Sequence, residues 1–180
     1  MAASSNLVLH AGASPATLED LKHFRAPAPE GRWYPVSHAR VVETVKATLE
    51  EAGYDIKTEA YGVMRNGGRF FGTLALGTSI ATGVTLAVGI RNSVDKSFPL
   101  GFCAGNRVFV CDNLAFRSEL LVRKKHTLNG ERNFVKSIAT AEWQLRHSKL
   151  SLAFRRAHSR SASSRRVSRN SRRVSILPNR

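Results

Sequence analysis

From Ser37 to Gly53 the apolar residues recur at helical spacing, with Val41, Val45, Leu49 and Ala52 sharing one face, the signature of an amphipathic helix. Ser37 stands at the N-cap position, Val36 and Val41 are placed for a hydrophobic staple, and Gly53 supplies the C-terminal stop. From Tyr54 the period falls to two. "DIKTEAYGVM" and "RFFGTLAL" flank "RNGG", and Asn-Gly between alternating runs predicts a hairpin whose central residues take positive φ. Ile80 to Ile90 alternates as one strand: Ile80, Thr82, Val84, Leu86, Val88 and Ile90 face one way, and the small residues Ala81, Gly83, Thr85, Ala87 and Gly89 the other.

A polar run, "RNSVDKS" at 91–97, then interrupts the pattern, "FPLGFCA" returns as a strand, and "RVFVC" runs out again after a "GN" turn. In such a meander "RNSVD" and "CDN" fall at the same end of neighbouring strands. Arg91, Asn92, Asp95, Asp112, Asn113 and His126 are therefore the candidate polar cluster. "NLAFRSELLVRKK" reads as a helix capped by Asn113 and closed by Arg123, Lys124 and Lys125, since cations favour a helix C-terminus. A last helix carries Phe134, Ile138, Ala141 and Leu145 on one stripe. The order of elements predicts an α+β fold, an antiparallel sheet of four to five strands packed with helices.

At the ends the pattern weakens. Residues 1–32 mix prolines and small residues with one short helical candidate, Ala16 to Phe24, and read as a loosely attached arm before a single domain at 33–150. Residues 151–180 are arginine and serine, too poor in apolar groups to offset the entropy of ordering, and are expected to be disordered. They contain "SRRVS" twice, at 164–168 and 171–175, a pattern that resembles basic-directed kinase sites. Because this monotony starts abruptly inside a good helical pattern, an out-of-frame origin accounts for it as well as a nucleic-acid-binding arm does.

Composition changes the picture at one point. The net charge is +15, but the tail holds nine arginines and no acid, leaving +6 for residues 1–150. The body is modestly basic. No apolar run approaches the roughly 20 residues of a membrane span and the start lacks a basic-flanked apolar core, so a cytoplasmic protein is expected. Cys103 and Cys111 stand eight apart with no second pair, which implies buried free thiols rather than a zinc site or disulfide.

The middle of the chain resembles the phage- and plasmid-associated proteins catalogued as domain of unknown function 932. The residues that carry the likeness are Trp33, Pro35 and Val36, then Arg91, Asn92, Ser93, Asp95 and Ser97, then Arg107, Cys111, Asn113 and Leu114 within "RVFVCDNLAF", and His126 with Thr127. It spans about residues 33–145. The resemblance implies a mobile-element context and no established activity. Such proteins continue beyond the last helix, where this chain passes into its arginine-serine tail.

Each polar residue also has a plainer role. Asn92 and Asp95 are common turn formers, Asn113 a helix cap, and Arg65 and Arg69 hairpin residues that keep a strand edge solvated. His126 has no carboxylate or cysteine in sequence reach to make it a metal ligand or base. Asp95, Asp112 and Asn113 are too few for a two-metal nuclease, so neither catalysis, metal nor cofactor is expected. Arg65, Arg69, Arg123, Lys124 and Lys125, interleaved with Phe70, Phe71, Phe98, Phe102 and Phe109, read as a basic face for single-stranded nucleic acid. A phage or plasmid protein that binds a protein partner is the other reading.

Overall fold

The structure, a computed structural model, describes residues 7–8, 12–81, 84–105, 109–111, 116–117 and 120–141, with side chains at 12–77, 86–105 and 121–141. In chain order these form β1 (Leu7–Val8), β2 (Ser14–Ala16), α1 (Leu18–His23), α2 (His38–Glu51), β3 (Ile56–Met64), β4 (Arg69–Ala81), β5 (Val84–Ser93), β6 (Leu100–Gly105), β7 (Phe109–Cys111), β8 (Phe116–Arg117) and β9 (Leu120–Lys124), then α3 over 130–141. The fold is α+β. Its main sheet has six antiparallel strands in the order β2-β3-β4-β5-β6-β9, one or two more than the pattern predicts, and β1, β7 and β8 make a small second sheet.

Local rules account for the helices. In α2 the Ser37 hydroxyl accepts from the Arg40 amide, Gly53 takes φ +78°, and Val41, Val42, Val45 and Leu49 are buried. Helix α1 is closed by a capping box in which Thr17 and Asp20 satisfy each other's amides at 3.1 and 2.8 Å. Its Leu21 is fully buried and it packs on α2. In α3 Phe134, Ile138 and Ala141 are buried as the stripe requires; Leu145 and the tail at 151–180 lie outside the described residues.

The β3–β4 hairpin forms, but its left-handed turn begins one residue before the Asn-Gly pair: Arg65, Asn66 and Gly67 have φ of 54°, 52° and 82°. A Cβ on Gly67 would stand 1.9 Å from the Phe24 ring. Gly67→Ala, combining left-handed strain with this collision, is expected to cost roughly 2 kcal/mol, read as a lower thermal midpoint.

Three expectations are corrected. The single strand at 80–90 is two, because β4 ends at Ala81 and β5 starts at Val84, so an alternating run conceals a hairpin. The meander does not form, since β9 rather than β7 pairs with β6. The predicted helix from Asn113 to Lys125 is instead β8 and β9 over its described residues. Leu120 to Lys124 align with Ala104 to Leu100, and that backbone pairing outweighs the helix propensity of leucine, arginine and lysine. As a border strand of the main sheet, β9 carries the cations that discourage edge-to-edge association.

Candidate functional site

The pairing registers bring the polar run and most of the predicted basic residues to one end of the main sheet. Arg69 opposes Ser93, Arg91 opposes Gly101, Gly101 opposes Arg123, and Leu100 opposes Lys124. Arg65 lies in the β3–β4 turn and Lys125 follows β9. The three positions from Arg91 to Ser93 are the end of a central strand, not a turn, and all three side chains are buried.

Each of them has a distinct task. Arg91 lies along Gly101, where an added Cβ would meet its Cγ at 2.7 Å, and its guanidinium stands 5.2 Å over the Phe98 ring. Burial first, and Arg123 second, lower its pKa. Asn92 points to the opposite face and donates from Nδ2 to the Val36 carbonyl at 2.7 Å and to His38 Nδ1 at 3.0 Å. Ser93 closes the loop after it, donating to the Phe98 carbonyl and accepting from the Phe98 amide. The turn-former reading of Asn92 is therefore replaced by a long-range tie between β5 and the start of α2.

His38, which the sequence reading passed over as an ordinary helical residue, completes that tie. With Nδ1 accepting from Asn92, Nε2 donates to the Gly67 carbonyl at 2.7 Å. Its ring stacks on Phe70 at 5.5 Å. Burial above all lowers its pKa and His126 adds to this, against the opposing influence of Gly67 and Asp95. The ring is neutral and serves as a three-way junction among α2, the β3–β4 turn and β5.

Asp95 fits its turn role, its Oδ1 accepting from the Ser97 amide at 3.0 Å. It also pairs with Arg69, whose Nε is 3.0 Å from Asp95 Oδ2 and 2.8 Å from Ser97 Oγ. Burial works against its ionisation, but the Ser97 and Arg69 hydrogen bonds and the Arg69 charge outweigh it and hold the carboxyl below its usual range. Arg69 is thus engaged within the protein, while Arg65, Arg123 and Lys125 are exposed and Lys124 half-buried.

Next to this loop is a cleft of about 720 Å³ lined by Glu30, Arg32, Trp33, Lys96, Phe98, Pro99 and Lys125 with His126 and its neighbours. A bridge between Glu30 and Trp33 shapes one wall, and a hydrogen bond from the Tyr34 amide to the His126 carbonyl ties that wall to the segment at 125–127. Lys96, at φ 63°, stands 4.9 Å over the Trp33 ring and 2.5 Å from Glu30 Oε2. His126 is buried beneath the cleft. The Phe98 backbone is near enough to favour its protonation slightly, yet neither ring nitrogen meets hydrogen-bond geometry, and burial governs, lowering the pKa.

The aromatic part of the predicted binding face is corrected. Phe70, Phe71, Phe98 and Phe102 are core, none more than 9% exposed, and the side chain of Phe109 lies outside the described residues, as do Asp112 and Asn113. Among the rings that line the cleft, Trp33 is the half-exposed one, Phe98 and His126 being buried. Sequence reasoning missed Arg32, Trp33 and Lys96 as site residues because a single aromatic in an irregular segment has no periodicity to mark it. Cys103 is a buried thiol, pushed up to about 12 by burial and so unreactive. Among the described residues no group of three or more His, Cys, Asp or Glu could hold a metal, and no helix is long and apolar enough to cross a membrane. No family model matches the chain, and no curated protein or solved structure is similar to it.

Proposed function

We propose that the protein binds single-stranded nucleic acid through the basic end of its main sheet, without catalysis, in the phage or plasmid setting that the resemblance implies. The observation that supports this most is the gathering of Arg65, Lys96, Arg123, Lys124 and Lys125 at one end of the sheet, beside a cleft whose one acid, Glu30, is already paired with Lys96. A chain that neutralises phosphates releases counterions, so the logarithm of affinity falls linearly with the logarithm of salt, with a slope of about −0.7 per contact on single strands.

About four contacts from this end of the sheet contribute about −3 to the slope. In the full chain, replacing Arg123, Lys124 and Lys125 together by alanine is expected to flatten the slope by about two, while the arginine-rich tail contributes equally to both proteins. Titration of a labelled oligonucleotide at several salt concentrations reads this directly. An unchanged slope would shift preference to the partner-binding reading, which Leu121 and Leu128 favour, being 42% and 73% exposed beside the same basic strand.

A further inference from the structure

Three features of the Trp33 cleft bear on what it accepts. The first is its chemistry: Arg32, Lys96 and Lys125 against Glu30, around apolar walls of Trp33, Phe98 and Pro99. Its volume of about 720 Å³ lies within the roughly 300–1,000 Å³ of ligand sites. The second is a pair of unanswered groups. Trp33 Nε1 and both ring nitrogens of His126 are shielded from water without a partner in good hydrogen-bond geometry, the Phe98 backbone lying beside the imidazole, and such groups are normally satisfied in folded proteins. His126 is 6% exposed.

The third is the position of Lys96. Its ammonium covers the Trp33 face and pairs with Glu30, whose side chain is 73% exposed. Exposed pairs of this kind are weak, so the ammonium is readily transferred to another anion. A nucleobase stacking on Trp33 displaces the ammonium, and the phosphate that the base carries through its sugar receives it.

We propose that this cleft seats one unstacked nucleotide, its base against Trp33 and Pro99 and its phosphate among Arg32, Lys96 and Lys125. The inference rests on the nucleic-acid reading and names the part of the strand that the cleft holds. The nucleotide belongs either to a strand or to a free nucleoside monophosphate.

Trp33 and Trp143 are the two tryptophans, so the full chain with Trp143→Phe makes Trp33 the sole reporter. A 5′-phosphorylated oligothymidylate of about eight nucleotides is expected to quench Trp33 emission saturably, and Lys96→Ala with Lys125→Ala to weaken this about tenfold. Lys57→Ala, at the opposite end of β3, leaves it unchanged. Quenching by thymidine monophosphate as well identifies a free-nucleotide site, and quenching by the oligonucleotide alone a strand site. Anisotropy of the labelled oligonucleotide with Trp33→Leu is expected to show about tenfold weaker binding. If the oligonucleotide binds with the salt dependence above but Trp33 is unperturbed and Trp33→Leu binds equally well, the cleft is not the nucleotide seat, and the broader reading survives. If it does not bind at all, both fail. Equal quenching by a phosphoserine peptide would overturn the inference in favour of a phosphopeptide site.

Discussion

Replacing Phe70 by alanine is expected to lower stability by roughly 3–5 kcal/mol. Phe70 is fully buried near the start of β4, 5.8 Å from the Tyr61 ring and 5.5 Å from His38. Two losses combine in this substitution: the transfer energy of a large apolar side chain, and the cavity left between a central strand and the start of α2. In a domain of this size the change corresponds to a thermal midpoint lower by on the order of 10–20 °C. Phe70→Leu, which refills most of the volume, is expected to cost about 1–1.5 kcal/mol. Chemical denaturation of the two variants checks both numbers, and a loss below about 1 kcal/mol for the alanine variant would mean that α2 does not lean on this ring.

Stability is also expected to fall as pH drops below about 6.5, the ordinary histidine value, well before carboxylates titrate. His38 and His126 both have pKa values lowered in the folded protein, mainly by burial. Above the unfolded value neither state binds a proton at these rings, and the stabilisation is fully present. As pH falls from there toward the lowered folded values, the unfolded chain takes up protons that the native rings refuse. Each histidine then contributes a slope of up to about 1.4 kcal/mol per pH unit, and the two together up to about 2.7. Asp95, whose pKa is also lowered, acts in the same direction but only at more acidic pH. Urea midpoints at pH 7.5, 6.5 and 5.5 measure the effect, and His126→Leu should remove about half of the slope. A flat profile across that window would show that the rings titrate normally and are not held neutral.

How much of this was legible beforehand depended on the range of the interaction involved. Helix α2 was readable because its cap at Ser37, its stop at Gly53 and its 3.6-residue stripe are all decided within a few residues. The β3–β4 hairpin was readable for the same reason, its left-handed turn being a local need for residues that tolerate positive φ. The stretch "RNSVD" was recognisable as unusual, since polar side chains at the end of an alternating apolar strand must find partners if buried. Which partners they find was not written nearby. Asn92 reaches Val36 and His38, more than fifty positions earlier. The choice of β9 over β7 as the neighbour of β6, and of strand over helix at Leu120–Lys124, followed from backbone pairing with Leu100–Ala104, an energy that no window of neighbouring residues contains. The cleft joins residues 30–33, 96–99 and 125–127. Each of these segments alone looks like a solvated loop. Sequence by itself therefore settled the short-range elements and the basic character of the body, whereas the site came from tertiary folding, because long-range hydrogen bonds and strand register decide which loops share an end of the sheet.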